Sequence, residues 1–342
     1  MKIRIFVGTG GVGKTSVTAA SALRTALDGE KCLALTTDPA LRLKTALGMT
    51  DAALEQRVPL VSATKGELWA ALLDVPTTMD RLVRENVGVA RAREIVEHPI
   101  YKLLLTSLSG MNELISVERI SQAIADGFEN LLIDTPPSRH AFEFLDKPGF
   151  FVELVSFPLV QLVGRTYGWL RKSPFAGGSN ASDLYGRLQQ MLGATLVSQV
   201  LEFFGLFQPV AEAYASRSKR TLKMLRDPSA TAFTIVTTPA GAKHDSDYLF
   251  NELTKRGYFV ERLILNRLWP DLSLTLSRGV SPAVRDLSGW YEAVCASQLS
   301  IRNKVHAAWS ATGRQVVDLA ELARDIDGVE ALTRIAEQLK SA

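Results

Sequence analysis

The sequence predicts an α/β fold, a mostly parallel central sheet flanked by helices, with an α-helical subdomain inserted into it. Three observations predict it. A short β-prone run (Ile3, Ile5, Phe6, Val7) leads into a glycine-rich loop and then an Ala-, Leu- and Ser-rich helical stretch, Ser16 to Leu27, closed by Asp28-Gly29. Apolar runs at Lys31–Thr36 and Leu131–Asp134 each bring a carboxylate, Asp38 or Asp134, to a strand end. From Phe150 to Arg226 the character changes to long apolar helices, with a Pro/Gly/Ser break at Ser173 to Ser182.

The first element is the most informative. Gly8-Thr9-Gly10-Gly11-Val12-Gly13-Lys14-Thr15-Ser16 has two glycines five residues apart, the second followed by Lys and Ser/Thr, the pattern that cradles phosphates. Glycines keep side chains out of the way, so backbone N–H groups converge on phosphate oxygens while the following helix points its positive end at them. Lys14 then reaches the β/γ-phosphates, and Thr15 offers its hydroxyl to Mg²⁺. Lying between a strand and a helix, the pattern predicts a P-loop NTPase fold with residues 8–16 as its nucleotide loop.

The second strand, Lys31–Thr36, completes a βαβ unit, which implies a parallel sheet whose ligands gather at the carboxyl ends of its strands. Asp38, in Thr37-Asp38-Pro39-Ala40, sits at such an end; it is either a ligand-facing carboxylate or a turn residue before proline. Glu67 to Val75 is another apolar run, ending in Asp74. A helical-looking stretch from Thr77 to about Leu108 follows, whose alternating Arg and Glu residues read as a solvated face. Gly110 to Glu113 opens a further helix through Ile124. Leu131–Asp134 then resembles the second acidic element of phosphate-loop NTPases, where an Asp supports Mg²⁺ or its water. Leu192, Leu196, Val200, Phe203, Phe204 and Phe207 recur at helical spacing, as the core of a helical subdomain or as a groove for a partner's hydrophobic helix. Thr231–Thr237 and Glu261–Asn266 read as strands around a helix from Asp245 to Arg256. Gln315–Val317 reads as an edge strand before a closing helix, Asp327 to Leu339. A single phosphate-loop domain over residues 1–342 is expected, its helical subdomain inserted at about 76–125 and 148–228.

Composition narrows the classes. With 342 residues, 46% hydrophobic and 22% charged, the chain is ordinary globular protein. A net charge of +3 without a dense basic run argues against nucleic acid as a partner. Two distant cysteines and four histidines support neither a disulfide framework nor a structural zinc site. The apolar tract Pro148–Leu170 is interrupted by Glu153, Pro158, Gln161 and Arg165, short of the ~20 apolar residues of a membrane span. A cytoplasmic protein with no transmembrane segment of its own is expected.

Five separated elements together resemble the ArsA/GET-type ATPases, whose members power arsenite efflux or deliver tail-anchored membrane proteins. They are G-T-G-G-V-G-K-T-S at Gly8–Ser16, T-T-D-P-A at Thr36–Ala40, G-x-x-E at Gly110–Glu113, I-D-T-P-P-S-R-H at Ile133–His140 and L-N-R-L at Leu265–Leu268. The resemblance implies ATP and Mg²⁺ as cofactors. It places Asp38 at the attacking water and near the metal, Asp134 behind Mg²⁺, Asn266 on the adenine edge and Pro239 beside the base. An Asn-Arg-Leu-Trp stretch at 266–269 lacks the closing Asp of a guanine site, which favours ATP over GTP.

The chain also departs from the family pattern. Thr9 stands where family loops carry a second lysine, and Arg139 where the second switch has glycine. Arg42 and Arg139 are the candidates to replace the lysine's charge; Arg139 is the preferred one because its segment is expected beside the γ-phosphate. The function implied is a dimeric ATP-hydrolysing switch whose helical subdomain rearranges with nucleotide state and binds a hydrophobic segment of a membrane-protein client. The alternative is a low-turnover regulatory subunit in a heterodimer with a related ATPase. Arsenite is the less favoured cargo, because soft metalloids want thiolates.

Overall fold

Strand β1 (Lys2–Val7) is Ile-, Phe- and Val-rich, and such β-branched and aromatic residues suit a half-buried or fully buried pleat. It lies inside the sheet, between β5 (Asn130–Asp134) and β6 (Thr231–Thr237), and all three run parallel. The computed structural model describes residues 1–38, 42–50, 52–60, 64–107, 111–137, 194–242, 244–270, 280–323 and 328–340. Among these, eight strands form one sheet in the order β3-β4-β2-β5-β1-β6-β7-β8. The other strands are β2 (Lys31–Thr36), β3 (Glu55–Val58), β4 (Glu67–Leu72), β7 (Val260–Leu268) and β8 (Gln315–Ala320). Every pair is parallel except β3 with β4. This is the α/β architecture of a phosphate-loop fold. Every residue of β5 is buried, as befits a parallel strand covered on both faces.

The chain forms two compact units. The first comprises Met1–Leu73, Ala123–Ala141 and Met224–Ala342 and holds the whole sheet. Helices α1 (Lys14–Leu27), α2 (Arg42–Ala46), α8 (Asp245–Lys255), α9 (Pro282–Ser310) and α10 (Gly328–Lys340) belong to it. The Ala-rich face of α1 packs against the sheet core with Val17, Ala19, Ala20, Leu23 and Ala26 buried, and α10 adds Leu332, Ile335 and Ala336. Helix α9 starts at Ser281, whose Oγ caps the N–H of Val284, with Pro282 in the first turn. Most of its first 22 residues are exposed or half-buried, including Leu287 and Trp290.

The second unit comprises Asp74–Gln122 and Phe142–Lys223. Its described helices are α3 (Val75–Asn86), α4 (Val89–Glu97), α5 (Pro99–Ser107), most of α6 (Met111–Ala125) and most of α7 (Ala194–Arg226). The helical-looking stretch that begins near Thr77 forms three helices, α3, α4 and α5. The chain is extended at Gly88 and at His98, the residue before Pro99, where proline disfavours helical geometry. Asp74 caps α3 by accepting the N–H of Thr77 at 2.8 Å. Arg217 of α7 ties the helices together, donating to Glu118 of α6 at 2.8 Å and Glu85 of α3 at 3.0 Å.

Helix α7 runs for 33 residues with Pro209 inside it. Proline has no N–H for the carbonyl four residues back, which is that of Gly205. Arg91 of α4 fills the vacancy, donating Nη2–H to Gly205 O at 2.6 Å and Nε–H to Leu206 O at 2.9 Å. Within this unit Phe203 and Phe207 are buried and stacked, their ring centroids 5.1 Å apart, while Phe204 is 42% exposed. The expected apolar face therefore splits, two phenylalanines serving the unit's own core and one facing outward. Leu192, Gly110, Arg139, the tract 148–170 and the break at 173–182 lie outside the described residues, as do the side chains of Glu113 and Leu196.

Candidate nucleotide site

The chain leaves β1 at Val7 and turns through six residues into α1. Gly13 adopts φ 82, a left-handed conformation open to glycine at little cost, and sits at the N-cap of α1. Gly8 is needed for a different reason: a Cβ there would lie 2.5 Å from Val236 O of β6. At Gly10 neither reason applies, since a Cβ would meet no protein atom within 4 Å. The exposed face over Gly10 and Gly11 is therefore open for a ligand. No side chain caps α1, and its first turn carries no acid. Its leading N–H groups and the positive end of its dipole are left for an anion.

Strand register builds the centre of the site. Asp134, the last residue of β5, is level with Phe6 of β1 and Thr36 of β2. Its Oδ2 accepts hydrogen bonds from Thr15 Oγ1 at 2.7 Å and Thr36 Oγ1 at 3.2 Å. Lys14 Nζ lies 3.5 Å from Asp134 Oδ1 and donates to Thr135 O. Lys14 is 7% exposed, Thr15 9% and Asp134 0%, so the three face one another away from bulk water. Burial pushes the Asp134 carboxyl above the usual range, with Asp38's charge adding to it, against the opposing pull of Lys14, Thr15 and Thr36.

Asp38 is half-buried where the chain leaves β2, its backbone N–H donating to Thr36 Oγ1 at 3.2 Å. Ser16 and Thr9 are half-buried and Val12 is buried. Asn266, near the end of β7 and 8% exposed, donates Nδ2–H to Val12 O at 2.8 Å. Its amide is thus tied to the loop itself, and a Cβ on Gly13 would collide with it. Pro239 is buried on the wall of a cavity of about 490 Å³ that also touches Thr9–Val12 and Arg267. Of the predicted residues, the structure gathers residues 8–16, Asp38 and Asp134 at the carboxyl ends of β1, β2 and β5, with Pro239 and Asn266 following β6 and closing β7. Arg139 lies outside the described residues.

Three contributors went unread in the sequence: Thr36 and Thr135, which hold Asp134 and Lys14, and the Asn266–Val12 bond. The threonines flank the predicted carboxylates, and that adjacency was the available signal. The residues also fit Mg²⁺. This ion favours oxygen donors and takes few of them from protein, the rest coming from phosphates and water. Thr15 and Asp134 offer such oxygens, and Asp134 Oδ1 is buried without a hydrogen bond among the described residues. Among the described residues no cluster of three or more His, Cys, Asp or Glu could hold a metal by itself.

A strand–glycine loop–helix cradle on a parallel sheet, with Lys and Thr set against a strand-end Asp, defines a phosphate-loop nucleotide-binding protein. The family model for ArsA-type anion-transporting ATPases matches residues 1–341, and the chain belongs to that family. It is similar to the ATPase GET3B of Arabidopsis thaliana, 25% identical over 286 residues, covering 78% of this chain and 64% of that protein. A putative arsenical pump-driving ATPase of Prosthecochloris vibrioformis is 31% identical over 157 residues, 43% of this chain and 36% of that one. The arsenical pump-driving ATPase of Escherichia coli is 29% identical over 160 residues, 42% and 25% respectively. The chain thus matches less than two thirds of the length of each of these relatives. No helix among the described residues is long and apolar enough to cross a membrane.

Proposed function

We propose that this chain binds Mg²⁺-ATP at residues 8–16 and hydrolyses it to ADP and phosphate, acting as a dimeric switch in the cytoplasm. The observation that carries the reading is the buried Lys14–Thr15–Asp134 cluster beneath an uncapped helix N-terminus. Lys14 and the N–H groups of residues 10–16 hold the β/γ-phosphates. Mg²⁺ supplies charge neutralisation there, held through Thr15 and supported by Asp134, with Asp38 close by. Asp38 orients the attacking water, a task that needs a carboxylate able to accept its hydrogen bonds. Pro239 and Asn266 border the base. The helical unit, inserted into the single ATPase domain, changes with nucleotide state, and its exposed Phe204 marks the face for a hydrophobic client helix. Arsenite is the weaker candidate for cargo, because the chain has only two cysteines and Cys32 is buried.

Calorimetry with Mg²⁺-ATP, paired with a phosphate-release assay, tests the reading. Wild type binds and turns over, Lys14→Ala does not bind, and Asp38→Asn binds normally but hydrolyses at least ~100-fold more slowly. Unchanged affinity in Lys14→Ala would overturn the assignment of the loop. A parallel fall of affinity and turnover in Asp38→Asn would make Asp38 a structural residue.

A further inference from the structure

Strand β1 runs through the middle of the sheet between two parallel neighbours, where side chains are ordinarily apolar, yet it carries Arg4. Arg4 shares a face with Phe6, whose ring joins the core formed with α1 and α10. The arginine is half-buried, and among the described residues its guanidinium has neither a hydrogen bond nor an ion pair. Drawing a charge part of the way out of water without a partner costs free energy, and arginine is seldom buried unpaired. Thr234 of β6 stands level with Phe6 on the same face and is 1% exposed. Its hydroxyl also has no hydrogen-bond partner among the described residues.

Both side chains line a cavity of about 160 Å³ at the amino ends of the strands, beside the second half of α1. None of residues 8–16 borders it, so it is separate from the phosphate cradle at the carboxyl ends. Four cations, Lys2, Arg4, Arg24 and Arg262, share its wall with two carboxylates, Asp28 and Glu30. Asp28 already accepts from Arg24 Nε at 2.9 Å, and Glu30 accepts from Asn130. Glu261, outside the lining, holds Arg262 at 3.0 Å. The wall therefore keeps an excess of positive charge, and Arg4 is the guanidinium left without a carboxylate. A water takes up about 30 Å³ of the liquid, so the space suits about five waters or one small ion. It falls well short of the ~300 Å³ at which pockets for drug-sized ligands begin.

We propose that this cavity is a second anion site, which takes a free tetrahedral oxyanion of the phosphate class on Arg4 and Thr234. A guanidinium offers parallel N–H groups to two oxygens of one ion, and a buried hydroxyl can donate to a third. Exposed Lys2 adds attraction from the solvent side. The site stands independently of what the loop at residues 8–16 binds.

The test is calorimetric titration of inorganic phosphate, and separately of phenyl phosphate, into the full chain at low chloride. All variants carry Lys14→Ala, which strips the loop of its own hold on phosphate, and to it are added Arg4→Met, Thr234→Val or Asp28→Asn. Arg4→Met and Thr234→Val keep side-chain bulk and each removes an unsatisfied polar group, so melting temperatures without phosphate at or above the parent's are expected. The parent should bind one phosphate with a Kd of about 1 mM or below. Arg4→Met weakens it by about tenfold or more and Thr234→Val by about threefold, whereas Asp28→Asn, which lifts a negative charge from the wall, tightens it by about threefold. Phosphate that does not saturate the parent by about 20 mM overturns the proposal. Affinity within about twofold of the parent in both Arg4→Met and Thr234→Val overturns it too, because the ion then sits elsewhere on the surface. Phenyl phosphate binding as tightly as phosphate overturns the assignment to a free ion, since an esterified phosphate held at the mouth would explain it.

Discussion

Arg91 gives a sharp test of how the helical unit is held together. Arg91→Met removes the two hydrogen bonds to α7, at 2.6 and 2.9 Å. The carbonyls then fare differently. Leu206 O is still in register with the N–H of Val210, whereas Gly205 O faces Pro209, which has no N–H to give. Leaving such a group unsatisfied costs about 1–3 kcal/mol, and Gly205 is half-buried, which favours the lower half of that range. Adding the charged donor's bond to Leu206 brings the expected destabilisation of the segment to about 2 kcal/mol. In a Pro209→Ala background the new N–H serves Gly205 O, and the cost of Arg91→Met falls to about 1 kcal/mol, a coupling of about 1 kcal/mol. Hydrogen exchange of peptides spanning residues 200–215, followed by mass spectrometry, reads the local opening free energy. Arg91→Met should accelerate exchange about thirtyfold with Pro209 present and about fivefold in the Pro209→Ala background. The same acceleration in both backgrounds would show that Arg91 does not compensate for the proline.

Three further outcomes are expected. Gly13→Ala forces a Cβ into φ 82 and against the Asn266 amide, so the loss of the Asn266–Val12 bond adds to the backbone cost for about 2 kcal/mol in all; an unchanged melting temperature would contradict the loop geometry. Glu118 is buried among Arg217, Glu85 and Gln122, and burial first, then Glu85's charge, raise its carboxyl above the ordinary 4.5 despite opposition from Arg217 and Gln122. The folded chain then holds that proton to higher pH than the unfolded one, so the stability it contributes is full below 4.5 and is lost as pH rises through the raised value. Glu118→Gln lacks this slope, and its urea midpoint relative to wild type should climb from pH 4.5 to 7; a constant difference would sink the idea. Cys32 is buried with its thiol pushed up to about 12, mainly by desolvation. Iodoacetamide at pH 8 should therefore alkylate native protein at Cys295 alone, and peptide mapping that finds Cys32 modified before unfolding would refute its inertness.

The sheet was legible wherever burial leaves a continuous apolar signature. Thr231–Thr237 matches β6 residue for residue, and Lys31–Thr36 matches β2. Strand β3, Glu55-Gln-Arg-Val, was invisible because it is an edge strand with three polar residues, defined only by its antiparallel pairing with β4. The long helix α9 also went unread. Its Ser281-Pro282 start signal is present, but its sparse burial leaves no apolar stripe to follow. At the site, the loop chemistry was written in residues 8–16, since its glycines and Lys-Thr pair are local. The contacts of Asn266 with Val12 and of Thr36 with Asp134 span 254 and 98 residues, and register rather than local pattern creates them.

The bond from Asn266 to Val12 and the seat of Gly8 against Val236 also bear on how a bound nucleotide could be sensed. A loop already fixed by its own neighbours gives up little conformational entropy when a ligand arrives, so binding can be tight without any ordering of the cradle. By the same reasoning the cradle is a poor messenger, because an element with one arrangement cannot report two states. Information about the third phosphate has to leave through groups whose partners change with charge. On the proposed reading of the site Asp134 is the first of them, one oxygen bonded to Thr15 and the other, among the described residues, ion-paired with Lys14 at 3.5 Å but without a hydrogen bond.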